Sequence, residues 1–155
     1  MAFLRGAAAL ALLLVAAGCG QQKQEVPAAP APSPSTEAVV RDVPEATFRT
    51  PSGNIECALT QSSVRCDIDD KRWKAPPKPA SCQLGWGNGL YISTGNAGVT
   101  CAGDTLDGSA KETLEYGRAL RAGDVLCSSR STGVTCTSSQ TGHGFVLAAS
   151  KYALF

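Results

Sequence analysis

Cys66, Cys101 and Cys136 recur at a fixed interval of 35 residues, and each ends a short apolar-polar-Cys run: Val64-Arg65-Cys66, Val99-Thr100-Cys101 and Val134-Thr135-Cys136. An upstream cysteine is available for each, at Cys57, Cys82 and Cys127. Six cysteines can therefore tie a small domain together as three bridges, and this repeat restricts the possible folds more than any other feature of the chain. No set of residues in the sequence specifies a reaction.

The seventh cysteine, Cys19, stands apart behind an apolar leader. Met1 to Gly18 carries one positive charge, at Arg5, followed by an Ala/Leu/Val stretch of the length of a signal-peptide core rather than a membrane span. The tetrad Ala16-Ala17-Gly18-Cys19 resembles a bacterial lipobox, with Ala16 where Leu is more usual. That resemblance implies lipidation of Cys19 and a domain anchored to the extracytoplasmic face of the cell membrane without spanning it. An ordinary secretory signal is the alternative. Residues 19–44 are rich in Pro, Ala and Ser, cannot bury a core and are expected to form an extended tether.

The remaining segment, residues 45–155, has the size of one small domain. It holds 11 Lys/Arg and 10 Asp/Glu, so it is nearly neutral. Phosphate neutralisation needs a basic surface, which argues against nucleic acid as a partner. Lys71, Arg72, Lys74 and Lys78 cluster, but Asp67, Asp69 and Asp70 sit beside them, as expected of a solvated loop of mixed charge.

Shifting the first cysteine copy by 70 positions places Gly53 on Gly123, Ile55 on Val125, Cys57 on Cys127, Val64 on Val134 and Cys66 on Cys136. A shift of 35 keeps the apolar pattern, with Leu90 under Ile55 and Val99 under Val64, but puts Ile92 where Cys57 would be. Each copy alternates apolar and polar residues with polar breaks, which predicts β-hairpins with their cysteines on the apolar face. Opposed residues in a non-hydrogen-bonded antiparallel pair lie within disulfide reach. Six cysteines allow about fifteen pairings, and the repeat selects Cys57–Cys66, Cys127–Cys136 and Cys82–Cys101. In the chain-entropy view each bridge contributes about 3 kcal/mol, against a usual total stability of about 5–15 kcal/mol. Zinc ligation is disfavoured by the wide cysteine spacing, by the single histidine His143 and by the export signal. No metal and no cofactor is expected.

Phe48-Arg49-Thr50-Pro51-Ser52-Gly53-Asn54-Ile55-Glu56-Cys57, the Trp73 and Pro76-Pro77 region, Cys101-Ala102-Gly103-Asp104-Thr105, Tyr116-Gly117 and Gly142-His143-Gly144-Phe145 resemble a family of actinobacterial exported proteins, domain of unknown function 6636. The resemblance covers the whole domain after the tether. It implies an envelope or secreted location in a high-GC Gram-positive bacterium, and it brings no catalytic residue.

Ser109 and Glu112 have capping-box spacing, while Gly117 and Gly123 weaken a helix, so this stretch reads as a short helical turn or an irregular strand. There is no G-x-S-x-G or S-x-x-K motif, and pairing of the cysteines removes a thiol nucleophile. His143, between two glycines, reads as part of a turn before the Phe145-Val146-Leu147 strand. Asp67, Asp69, Asp104 and Asp107 are the carboxylates that could serve a glycan hydrolase, although Asp104 and Asp107 also suit a turn. The binding candidates are aromatic: Trp86 among Gly85, Gly87 and Gly89 in a flexible segment, Trp73 in a Lys/Pro-rich loop, and Tyr91, with Tyr116 nearby. Such rings stack on sugar faces or on a partner protein, or they cover the ends of a thin core.

The expectation is thus a mainly β domain, a small disulfide-stapled barrel or trefoil-like array of three related hairpins. Its expected role is a non-catalytic module that binds a cell-wall polysaccharide or an envelope protein, with a carboxylate-based wall hydrolase as the alternative.

Overall fold

The computed structural model describes residues 38–155. The expected signal peptide, Cys19 and most of the expected tether lie outside the described residues.

Within residues 38–155 there are twelve strands and no helix. They are β1 (Val39–Asp42), β2 (Ala46–Arg49), β3 (Ile55–Leu59), β4 (Ser63–Ile68), β5 (Gly85–Ser93), β6 (Asn96–Ala102), β7 (Glu112–Thr113), β8 (Arg118–Ala122), β9 (Val125–Arg130), β10 (Gly133–Ser138), β11 (Gly144–Leu147) and β12 (Tyr152–Leu154). They form two open six-stranded sheets, ordered β7-β2-β3-β4-β5-β6 and β1-β8-β9-β10-β11-β12. The pairing closes no barrel, and the expected array of three hairpins gives way to two equivalent meanders. In each meander five successive strands pair antiparallel, and a sixth joins in parallel beside the first of them.

The equivalence extends to register. Across one sheet runs the row Phe48, Cys57, Cys66, Leu90, Val99; across the other runs Leu120, Cys127, Cys136, Phe145, Leu154. Each row has its disulfide second and third, with large apolar neighbours on both sides. Gly89 and Gly144 take the same place in the two rows' flanks, where a Cβ would drive into the carbonyl oxygen of Cys66 or of Cys136. Even a loop bond repeats: Asp69 N donates to Asn54 O at 3.1 Å, and Ser139 N donates to Asp124 O at 2.8 Å.

Alternation then explains the core, because one face of each strand is apolar. Ile55, Cys57 and Leu59 face Ile68, Cys66 and Val64 across β3 and β4, and all six are buried. With Phe48, Leu90, Ile92, Leu120, Val125, Val134, Phe145 and Leu147 they form one cluster to which both sheets contribute. Fully burying a side chain of this size contributes about 1.5–3 kcal/mol, so the cluster is the main source of stability alongside the bridges. All three expected bridges are present: Cys57–Cys66 and Cys127–Cys136, with Cα atoms 4.0 and 4.1 Å apart, and Cys82–Cys101, at 5.9 Å.

Two expectations are corrected. Strand β1 lies inside the segment read as tether, so the folded part begins by Val39 rather than at residue 45. The 35-residue copy is a hairpin, but its register has slipped: Ile92 opposes Ala97, and Cys101 opposes Trp86. Cys101 therefore finds its partner in the loop before β5 and not across the ladder. The stretch after Ser109 takes the second of its two expected forms, the irregular strand β7 followed by a turn, and the Ser109 amide donates to Glu56 Oε2 at 3.1 Å.

Candidate functional site

Trp86 and Tyr91 come from the same strand, β5, and line the same open groove, with a volume of about 620 Å³. The ladder shifts register between Trp86 and Leu90, as a β-bulge does when it re-aims a side chain. The surrounding glycines are required by close approach rather than by flexibility, which corrects the sequence reading. A Cβ at Gly87 would strike the Ala75 Cβ, and Gly87 also has φ +82°; at Gly85 a Cβ would meet the Ala102 carbonyl. Trp86 is half-buried, and its Nε1 donates to the Pro76 carbonyl at 2.8 Å, which ties the long β4–β5 loop to the groove wall. The Tyr91 ring lies against Gly98, where a Cβ would come within 2.7 Å of it. Both rings therefore line the groove from held positions.

Thr100 and Arg65 also line the groove. The Thr100 hydroxyl is buried and has no hydrogen-bond partner within the protein. Sequence reading passed over both residues; the signal available was their shared strand face with Tyr91, visible only once the register of β4, β5 and β6 is known.

Trp73 stands elsewhere. Its Nε1 donates to Ala148 O at 2.8 Å, its ring packs on Tyr152 with centroids 4.5 Å apart, and Lys71 Nζ lies 5.4 Å from its centroid. The structure thus brings together two of the three aromatic candidates and leaves Trp73 closing the core near the β11–β12 turn. The basic cluster disperses as well: Lys71 covers Trp73, Lys78 Nζ donates to Leu84 O at 2.6 Å, and Arg72 lines a separate cleft.

The carboxylate candidates are held by the protein's own donors. Arg65 makes a forked pair with Asp67, Nε to Oδ1 at 2.9 Å and Nη2 to Oδ2 at 2.7 Å, and its Nη1 reaches Asp104 Oδ1 at 2.8 Å. Asp67 also accepts from the Leu106 amide at 3.1 Å. Its cross-strand neighbour Glu56, also buried, accepts from the Ser109 and Ala110 amides. Two buried acids on the outer face of the β3–β4 hairpin therefore fasten the loop of residues 103–111 over it. The hydrogen bond from Arg65 lowers the Asp104 carboxyl below its ordinary value of 3.8, while Arg65 is held above its own, chiefly by Asp67. Asp69 is raised, first by partial desolvation and then by the charges of Asp107 and Glu56. His143 sits in the expected turn before β11, exposed, with Nδ1 3.2 Å from Phe155 O. Among the described residues no group of His, Cys, Asp and Glu is arranged to hold a metal ion.

No curated protein and no solved structure matches the chain. The model of a family of unknown function, DUF6636, matches residues 34–155, and the chain belongs to that family.

Proposed function

We propose that this is an exported, lipid-anchored envelope protein whose domain binds a cell-wall polysaccharide without turning it over. The observation that carries the reading is the convergence of Trp86 and Tyr91, two half-buried rings held by close packing, on one open groove. Aromatic faces fixed in this way match the apolar faces of sugar rings, and Arg65 and Ser81, which line the same groove, offer polar partners. Three disulfides in a domain of this size fit an oxidising compartment outside the cytoplasm. Lipidation at Cys19 would place the domain on the outer face of the cell membrane, next to the wall.

The competing hydrolase would need Asp67 and Asp104 as acid and base. Both are engaged by Arg65, whose hydrogen bond lowers the Asp104 carboxyl and leaves it unsuited to donate a proton at neutral pH.

Co-sedimentation of the full chain with purified cell-wall polymer tests the proposal. Saturable retention without release of soluble sugar is expected, and Trp86→Ala should weaken it about tenfold while Trp86→Phe retains it, since about 1.4 kcal/mol of stacking is a factor of ten. Release of soluble sugar that is lost in Asp67→Asn would instead establish the hydrolase, and no retention at all would overturn the wall-polymer reading.

A further inference from the structure

The two meanders are equivalent in strand order and register, yet their turns close one end of the molecule and open the other. At the closed end the β8–β9 turn is residues 123–124 and the β5–β6 turn is residues 94–95. There Asp124 N donates to Gln61 O at 2.9 Å, and Thr141 Oγ1 donates to Gly95 O at 2.6 Å, so these two turns seal against the β3–β4 and β10–β11 turns respectively. At the other end the corresponding turns are longer, residues 50–54 and 148–151. Asn54, the counterpart of Asp124, turns its amide to Ser52 Oγ at 3.3 Å within its own turn. Ser131, the counterpart of Gln61, lines a cleft of about 470 Å³. One bond survives from the sealing set: Arg72 N donates to Ala149 O at 2.7 Å, in the place of the Thr141 to Gly95 contact.

What lines this cleft is chemically one-sided. Arg72, Arg130 and Lys151 border it, and no Asp or Glu does. Among the described residues none of the three is in an ion pair, although the domain as a whole is nearly neutral. Cations of one sign around a concave, low-dielectric wall focus their field into it. Hydroxyls from Ser131, Thr132 and Ser150 add donors, and Arg presents the fork that matches phosphate oxygens. Tyr116, substantially exposed, supplies an apolar face at the same cleft.

We infer that this cleft binds the phosphate of a sugar phosphate, with Arg72, Arg130 and Lys151 on the phosphate and Tyr116 against the sugar ring. It is a site separate from the Trp86 groove, formed where each of the two meanders has one lengthened turn, residues 50–54 in the first and 148–151 in the second, and where unpaired cations gather. Nothing in the inference depends on the groove's binding a polymer.

The test is a chemical-shift titration of the isotope-labelled full chain with glucose 1-phosphate, inorganic phosphate, glucose and acetate. Glucose 1-phosphate should give saturable shifts confined to the cleft, at Arg72, Tyr116, residues 130–133 and residues 148–151, inorganic phosphate the same shifts except at Tyr116 and at weaker affinity, and glucose and acetate none at matched concentration. Arg130→Ala and Lys151→Ala should each weaken binding at least tenfold with the spectrum otherwise native, Lys151→Arg should retain it, and Tyr116→Ala should bring the sugar phosphate down to the affinity of inorganic phosphate. Trp86→Ala should leave this titration unchanged, which separates its outcome from that of the polymer assay. Equal binding of acetate, shifts scattered over other surface lysines, or undiminished affinity in Arg130→Ala would overturn the site. Equal affinity for inorganic phosphate and glucose 1-phosphate in the native chain would overturn the sugar.

Discussion

Arg65 shows how a single side chain can decide both local order and the chemistry available nearby. It lies half-buried at the edge of the groove, and two carboxylates and the Asp104 carbonyl converge on it. Removing it would leave Asp67, buried on the sheet's outer face, without its cation. Breaking a well-buried pair costs about 3–5 kcal/mol, and the partial exposure of the Arg65 side chain reduces that, so Arg65→Ala should cost about 2–3 kcal/mol in chemical denaturation. The same contacts give a pH dependence of definite sign. Because Asp104 titrates below its ordinary value of 3.8 when folded, its pairing is present above that value and is lost as the pH falls through the lowered one. Amide protection in residues 103–111, measured against the intrinsic exchange rate at each pH, should therefore fall below about pH 4 in the native chain, and in Arg65→Ala that fall should be smaller. Asp69 contributes with the opposite sign: its raised value favours the folded state when it is protonated, and that contribution is lost as the pH rises through the raised value. Asp67 and Asp104 stood out in the sequence as candidate catalytic carboxylates; that one guanidinium occupies both could not be read there, because Asp104 lies far along the chain in a loop whose path over the sheet is set by Glu56 and Asp67.

At the scale of the element, the hairpins were legible because their signal is local. Alternation over a few residues and a cysteine on each side of a short turn give β3–β4 and β9–β10 together with their bridges, and the spacing of nine residues recurs in both. The slipped register of β5–β6 was not legible, since a bulge next to Trp86 leaves no mark in composition and the glycines around it read as flexibility. That slip separates the three bridges in their chemistry. Cys57, Cys66, Cys127 and Cys136 are fully buried in the core, whereas Cys101 is exposed on β6. A thiolate must reach a sulfur to exchange with it, so limiting reductant should open Cys82–Cys101 first, and mass mapping after alkylation should find label on that pair while the other two remain oxidised. Cys82→Ser with Cys101→Ser should cost about 3 kcal/mol in the loop-closure view, yet leave both core bridges and the groove's strands in register.

At the scale of the whole molecule, the two meanders are joined by an exchange of edges. Strand β1 precedes the first meander in the chain but pairs in parallel with β8 of the second, and β7 precedes the second but pairs with β2 of the first. The two edge strands hold equivalent positions, since Arg41 opposes Leu120 as Glu112 opposes Phe48, and these two residues form an ion pair with each other. Further along, Val43 N donates to Arg121 O at 2.8 Å, and Leu114 N donates to Arg49 O at 2.9 Å, the same bond made twice. The 70-residue period showed the duplication in the sequence, but parallel pairing between distant segments leaves no local pattern, and the Pro/Ala/Ser composition before residue 45 led to β1 being read as tether. Because β1 belongs energetically to the far half, shortening the chain at its start should be felt at β8, about eighty positions away in sequence. Val39 and Val40 are exposed, so little apolar burial is at stake, and the loss is chiefly that of a short backbone ladder and its side-chain pair. At about 1 kcal/mol per hydrogen bond, that amounts to about 3–4 kcal/mol. A chain beginning at residue 45 should therefore unfold at lower denaturant than one beginning at residue 35. Its loss of amide protection should be concentrated in residues 118–122, and the uncovered β8 edge should promote self-association as concentration rises. Equal midpoints and unchanged protection of β8 would mean that β1 adds nothing to the fold and that the boundary at residue 45 was right.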